Sequence, residues 1–292
     1  MDIAQLQEKA NLIRQDLIRM LVEAGSGHSA GPLDLADIFT ALYFGGLLKY
    51  DPKNSDWEER DRLILSCGHT CPILYATLIH AGVLRQDELL TLRKFGSRLQ
   101  GHPHHEQIYP GKQPLHENTP GVENSGGPLG QGTSVAVGMA MAFKMDKKPN
   151  KVYLIGSDGE MQEGQTWEAL MFAGNHRLDN LTYLVDRNNI QIDGYTEKVN
   201  GLEPLYNKLQ AFNFHVLEIN GNSMDEIIAA VKQSWTIKDK PTAILANTIP
   251  GKGVDFMEGD FLWHGKPPSK DQGEEALKEL RTLGGRIQSE HE

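Results

Sequence analysis

Residues 151–194 read KVYLIGSDGEMQEGQTWEALMFAGNHRLDNLTYLVDRNNIQIDG, and the fold is decided in this stretch. An apolar run, Val152 to Ile155, stops at Gly156-Ser157-Asp158-Gly159. A helical segment follows, then a second apolar run, Leu181 to Val185, which ends at Asp186-Arg187-Asn188-Asn189. Two short apolar runs joined by a helix predict a parallel strand–helix–strand unit. The carboxyl ends of such strands lie side by side, and open α/β sheets bind ligands there. Asp158 and Asn188 each stand just past a strand end, and a carboxylate beside an amide oxygen suits a hard cation such as Mg2+ or Ca2+. The glycines around Asp158 let backbone amides approach a phosphate at the start of the next helix. The stretch therefore implies a metal–diphosphate site.

Composition sets the outer bounds. The chain has 292 residues, 39% of them hydrophobic and 23% charged, as in an ordinary globular protein able to bury a large core. A net charge of −10 argues against a broad nucleic-acid surface while leaving room for a local anion site. No apolar run approaches the roughly 20 residues of a membrane span. The amino terminus, MDIAQLQEKA, does not read as a secretory leader, and Cys67 and Cys71 are the only cysteines. A reducing cytoplasm is the expected compartment. With no internal repeat and no dividing linker, residues 1–292 are expected to form a single domain.

The rest of the chain supplies histidines at loop ends. Leu6, Ala10, Ile13, Leu17, Met20 and Leu21 recur at helical spacing. That first helix stops at Gly25-Ser26-Gly27-His28-Ser29-Ala30-Gly31-Pro32, where small and helix-breaking residues surround one histidine. Leu33 to Phe44 predicts a helix. Asp61 to Ser66 predicts a buried strand that ends at Cys67-Gly68-His69-Thr70, the thiols reading as ordinary buried cysteines rather than zinc ligands. Pro72 to His80 and Gln86 to Phe95 predict two more helices. Gly96 to Gly132 is irregular and holds His102, His104, His105 and His116, and its closing Gly126-Gly127-Pro128-Leu129-Gly130-Gln131-Gly132 opens a small-residue helix from Thr133 to Phe143. A glycine loop opening a helix suits a cofactor lying across backbone. Helices at Leu202 to Ala211 and Ser223 to Trp235 then alternate with strands at Phe214 to Ile219 and Pro241 to Ile249. Ser223 with Glu226 predicts a capping box. Residues 271–292 predict a surface helix with a loose tail.

Taken together, these motifs resemble the transketolase family, specifically its amino-terminal, diphosphate-binding part. Asp158-Gly159 with Asn188-Asn189 is similar to the thiamine-diphosphate fingerprint. Ser26-Gly27-His28, Ser66-Cys67-Gly68-His69, Gly101-His102-Pro103, the loop Gly127 to Gly132 and His264 extend the likeness along nearly the whole chain. The resemblance implies a three-layer α/β/α fold with a mostly parallel sheet, and thiamine diphosphate with Mg2+ or Ca2+ as cofactors. It implies Asp158, Asn188 and the carbonyl of Ile190 as metal ligands. Gly31, His69, Gly127, Leu129, Gly156, Gly159 and His264 would lie against the cofactor together with Asp158 and Asn188. His28, His69, His102 and His264 would surround the reacting carbon, and Glu163 and Glu168 would fall near a subunit interface. Neutral imidazoles can both donate and accept a proton near pH 7, which suits a sugar hydroxyl deprotonated as a carbon–carbon bond breaks.

The departures from the pattern are informative. Ser157 stands where the fingerprint has its first glycine, and His104 to Asn118 reads as an insertion. Family members continue into a pyrimidine-binding domain that supplies the glutamate activating the cofactor, and this sequence stops before it. The expected protein is therefore the N-terminal subunit of a split transketolase. It would act with a C-terminal subunit in a heterotetramer of two copies of each, and would move a two-carbon ketol unit from a ketose, or ketose phosphate, to an aldose, or aldose phosphate. The α subunit of a 2-oxo acid dehydrogenase shares the fingerprint but needs no sugar-orienting histidines. Deoxyxylulose-phosphate synthase normally carries its domains on one chain. A non-catalytic assembly subunit would have no use for the intact Asp158, Asn188 and histidine set.

Overall fold

The computed structural model describes residues 1–105 and 118–282. The expected insertion, apart from its ends at His104, His105 and Asn118, lies outside the described residues, as do His116 and the expected tail beyond residue 282.

The first third is helical. α1 (Ile3–Ala24) starts at an Asp2–Gln5 capping box and stops at left-handed Gly25, φ 62°. Two helices, α2 (Ala30–Asp34) and α3 (Ala36–Phe44), replace the single helix expected from Leu33 to Phe44, with Leu35 at the joint. Strand β1 (Arg62–Leu65) leads through a 3-10 turn, Gly68–Thr70, into α4 (Cys71–His80). The helix expected at Gln86–Phe95 is only a 3-10 segment, Gln86–Thr91. It cannot continue, because Leu90 leaves helical geometry and Arg93 takes φ 60°.

The remainder alternates strand and helix. α5 (Gln131–Met145) precedes β2 (Val152–Ser157), α6 (Gly164–Asn175) and β3 (Leu181–Arg187). A small antiparallel hairpin, β4 (Ile190–Gln191) with β5 (Gly194–Tyr195), leads into α7 (Thr196–Val199). Then come α8 (Leu205–Ala211), β6 (His215–Asn220), α9 (Met224–Ser234), β7 (Thr242–Asn247) and α10 (Lys270–Thr282). α8 starts three residues later than expected, after Pro204, which disfavours helical geometry in the residue before it. At α9 the Ser223 hydroxyl accepts from the Glu226 amide, but the Glu226 carboxylate accepts from Asn220 N instead of closing the box on Ser223.

The main sheet has the order β1-β2-β3-β7-β6, parallel throughout, with Ser157 in register with Asp186 and Arg187 with Asn247. Alternation along each strand separates two cores. Tyr153, Ile155, Leu184 and Ile244 face α1, α3, α4 and α9. Leu154, Tyr183, Val185 and Leu245 face α5, α6 and α8. This is the expected three-layer α/β/α arrangement. Because both faces are covered, the strands read as continuous apolar runs. α10 is more than a surface helix: Ala276 and Leu280 are fully buried, and the Leu280 carbonyl accepts from Asn11 of α1.

One buried ion pair ties the helical layer together. Arg14 of α1 donates to both carboxylate oxygens of Asp37 on α3, at 3.3 and 2.6 Å, and to the Leu33 carbonyl. Asn222, at the end of the sheet, donates to the same Asp37. Removing one partner strands a buried charge, so Arg14→Ala should lower stability by about 3–5 kcal/mol in urea unfolding. A loss under about 1 kcal/mol would contradict this account of the layer.

Candidate active site

The carboxyl ends of β1, β2 and β3 open on one cleft of about 470 Å³, within the usual range for a small-molecule site. Its wall includes His28, His69, His102, His264, Gly127, Leu129, Ser157, Gly159, Glu163 and Ile190. His28 arrives from the loop after α1, His69 from the turn after β1, and His264 from a 3-10 turn, Phe261–Trp263, beyond β7. Their rings form a triangle with centroids 4.7 Å (His28–His69), 5.2 Å (His69–His264) and 5.4 Å (His28–His264) apart. Side chains from opposite ends of the sequence, His28 and His264, are thus brought into contact by the sheet ends.

Burial sets the protonation of this cluster. It pushes His28 down to about 4, with His264, His102 and Arg93 adding to the effect. Burial likewise takes His264 down to about 4 and His69 well below the usual imidazole range. His102 is lowered by burial and then by Arg93. At neutral pH the rings are uncharged, able to donate at one nitrogen and accept at the other. The Nδ1 atoms of His28 and His264 are buried without a partner, as polar atoms kept for a ligand would be.

A second group of polar residues is built around Asp158, which has no exposed surface and follows β2 directly. Its Oδ2 accepts from Arg187 at 2.8 Å and from the Asn189 amide at 2.7 Å. Its Oδ1 accepts from the Gly159 amide at 2.6 Å and the Thr196 hydroxyl at 3.2 Å. Burial raises the Asp158 carboxyl, and the Arg187 charge and these donors pull against it. Asn188, just past β3, gives its Nδ2 to Asp34 and Asp186, and its Oδ1 accepts from the Ile190 amide at 3.1 Å. Burial pushes Asp186 up to about 8 and Asp34 well above the carboxylate range, so this pair holds a proton at neutral pH.

These residues fit a divalent cation and a diphosphate. The donor set is all oxygen: a buried carboxylate already matched to a cation, an amide oxygen whose orientation is fixed, and the Ile190 carbonyl. A Cβ on Gly159 would stand 3.1 Å from Gln191 Cβ and 3.8 Å from the Ile190 carbonyl oxygen, so only glycine leaves this backbone cradle open. Gly127, at φ 137°, and Gly68 bring two loops into contact: a Cβ on Gly68 would lie 2.9 Å from the Gly127 nitrogen.

Two expected residues have a different surrounding. Gly156 lies inside β2, off the cleft wall, and a Cβ there would meet Glu160 Oε2 and Tyr183 Oη, both at 2.7 Å. Packing explains that glycine without a phosphate. It is Ser157, standing where the fingerprint has a glycine, that reaches the cleft wall. Gly31 sits within α2 against Thr70, one residue from His69. Glu163 lies on the cleft wall at the start of α6, and Glu168 is exposed on that helix.

Glu160 carries no signal in the sequence. It is fully buried, and its Oε1 accepts from Ser66 at 2.5 Å and from the Gly130 amide at 2.7 Å, bracing the end of β1 and the glycine loop at once. Burial takes its carboxyl up to about 7. Arg187, Asp34 and Asp186 are equally silent. A carboxylate inside a fingerprint is visible as a letter, but its partners are set by tertiary packing.

The family described as "Transketolase, thiamine diphosphate binding domain" matches residues 6–285. The chain belongs to the transketolase family. It is 44% identical over 279 residues to the 6-deoxy-6-sulfo-D-fructose transketolase subunit SqwG of Clostridium sp. (strain MSTE9), covering 96% of this chain and 97% of that one. It is 38% identical over 291 residues to an apulose-4-phosphate transketolase subunit of Phocaeicola vulgatus, covering 100% and 99%. The crystal structure of transketolase from Campylobacter jejuni superposes with a TM-score of 0.86 at 36% identity, over 98% of this chain. This chain spans 44% of that longer transketolase.

The buried histidines make a pH test. The unfolded chain takes up protons near pH 6.5, while folded His28 and His264 resist until about 4. Their contribution to stability is full above pH 6.5 and is lost as pH falls towards 4. Thermal unfolding between about pH 7 and pH 4.5 should therefore show a larger fall in Tm for the wild type than for a His28→Asn, His264→Asn double variant. Parallel curves would mean that the rings are not held neutral.

Proposed function

We propose that this chain is the N-terminal subunit of a heteromeric transketolase, which transfers a two-carbon ketol unit from a ketose or ketose phosphate to an aldose or aldose phosphate. One observation carries the reading. Gly159 and Ile190 line the same cleft as the neutral triangle of His28, His69 and His264, and the buried oxygens of Asp158 and Asn188 are hydrogen-bonded directly to their backbone amides. The cradle suits a cofactor's diphosphate, and the histidines suit a substrate rich in hydroxyls. Two relatives matched nearly end to end are named transketolase subunits, which supports action with a second chain.

Thiamine diphosphate, when bound, supplies the electron sink that a ketol transfer needs. Asp158, Asn188 and the Ile190 carbonyl would hold the divalent ion, Mg2+ or Ca2+, that neutralises the diphosphate. The backbone at Gly159 would approach the phosphates, and Gly127 and Leu129 would lie against the rings. His28, His69, His102 and His264 would orient substrate hydroxyls and accept the proton released as the carbon–carbon bond breaks. Because these rings are neutral near pH 7, each can take a proton and return it within one turnover. Glu163, exposed on the cleft wall, would face a neighbouring subunit.

Within the same reading, the chain forms one diphosphate-binding domain, the partner carries the pyrimidine-binding domain, and the assembly holds two copies of each chain in the cytoplasm. Among the described residues no helix is long and apolar enough to cross a membrane. A heterotetramer is the expected result of light scattering on the mixed chains.

The discriminating assay mixes the purified chain with a partner chain carrying the pyrimidine-binding domain. It then offers ketose phosphate with aldose phosphate, or pyruvate. Ketol transfer is expected only from the mixture. Activity on pyruvate with none on ketose phosphates would overturn the reading in favour of a 2-oxo acid dehydrogenase subunit. Full ketol transfer by this chain alone would overturn the need for a second chain.

A further inference from the structure

Arg187 stands one residue before Asn188 and is aimed at the carboxylate that the cation needs. Its guanidinium makes a fork. One nitrogen donates to Asp158 Oδ2 at 2.8 Å, and the other reaches Glu197 at 2.6 Å and Glu203 at 3.0 Å. The Arg187 side chain is 10% exposed and the Asp158 side chain is fully buried, so their attraction is poorly screened by water. Asp158 has no acceptor capacity to spare: Oδ2 takes Arg187 and the Asn189 amide, while Oδ1 takes the Gly159 amide and the Thr196 hydroxyl. A cation that binds this carboxylate must displace one of these donors. Three belong to backbone or to a buried hydroxyl, each making this one hydrogen bond among the described residues. Arg187 has two further acceptors, Glu197 and Glu203.

We propose that Arg187 is an internal counter-ion for Asp158 that competes with the divalent cation and yields to it by staying on Glu197 and Glu203. This rests on the cofactor reading above and adds a residue whose effect on metal binding is the reverse of a ligand's. Without metal, Arg187 keeps the buried carboxylate compensated and in place. When the cation arrives, the guanidinium gives up one hydrogen bond and keeps the others. The same positive charge beside the cation weakens its binding, so the site is tuned to need more metal than its oxygen donors alone would.

The test is Mn2+ titration of the two-chain complex in the presence of thiamine diphosphate, with free Mn2+ read by electron paramagnetic resonance. Arg187→Gln should bind Mn2+ about tenfold more tightly, since a competing unit charge is removed from a poorly screened site. Its metal-free melting temperature should fall, because Asp158 loses its counter-ion. A residue that merely supported the fold would weaken metal binding when removed. Unchanged or weaker Mn2+ affinity in folded Arg187→Gln protein therefore overturns the proposal. Should that variant not fold, the Glu197→Gln, Glu203→Gln double variant decides. It leaves Arg187 only Asp158 as a charged partner and should weaken Mn2+ binding severalfold, while unchanged affinity overturns the proposal. If the wild-type complex binds thiamine diphosphate with no metal dependence at all, it is the cofactor reading that fails.

Discussion

Placing a carboxylate with no exposed surface at the end of a parallel strand is costly, and much of the site follows from how the chain offsets that cost. Asp158 sits where β2 gives way to a 3-10 turn, and four donors from three different segments converge on its two oxygens. Each donor fixes something functional. The Gly159 amide sets the backbone cradle, the Asn189 amide locks the turn after β3, Thr196 anchors the segment beyond the small hairpin, and Arg187 brings charge. An unpaired buried carboxylate would cost several kcal/mol or stay protonated. Here four donors, one of them the Arg187 guanidinium, compensate it.

The histidine cluster obeys the opposite rule. Three rings within 5.4 Å of one another could not all be charged, and burial removes the charge from each. The cleft is thus divided electrostatically. One end carries a buried carboxylate paired with Arg187, and the other is a wall of neutral imidazoles. Glu160 joins the two ends by holding the close of β1 and the glycine loop through a single oxygen. That division is what a reaction needs when its cofactor has a charged tail and its substrate has hydroxyls.

Much of this is legible in the sequence, for a physical reason. Strands covered on both faces are apolar throughout, so Val152 to Ile155 and Leu181 to Val185 stand out, and with them the positions of Asp158 and Asn188. Histidines placed after glycines at strand ends can be grouped because the topology of a parallel sheet brings such ends together. The misses share a cause. A glycine in a fingerprint suggests backbone approach to a phosphate, whereas the missing side chain of Gly156 makes room for Glu160 and Tyr183. Arg187, Asp34 and Asp186 escape notice because nothing in spacing or periodicity reveals which buried charges face each other. The shortfall at Gln86–Phe95 has a local origin: Arg93 adopts a left-handed conformation that helix propensity does not foresee.

The central claim is that Asp158, Asn188 and Ile190 hold the cation that anchors the cofactor's diphosphate. The most direct measurement is the anomalous signal of manganese in crystals of the two-chain complex grown with thiamine diphosphate and Mn2+. The expected result is a peak ligated by the Asp158 carboxylate, the Asn188 side-chain oxygen and the Ile190 carbonyl, with the diphosphate completing the shell and Arg187 withdrawn to Glu197 and Glu203. Manganese bound elsewhere, or a cofactor seated with its diphosphate away from Gly159, would contradict it.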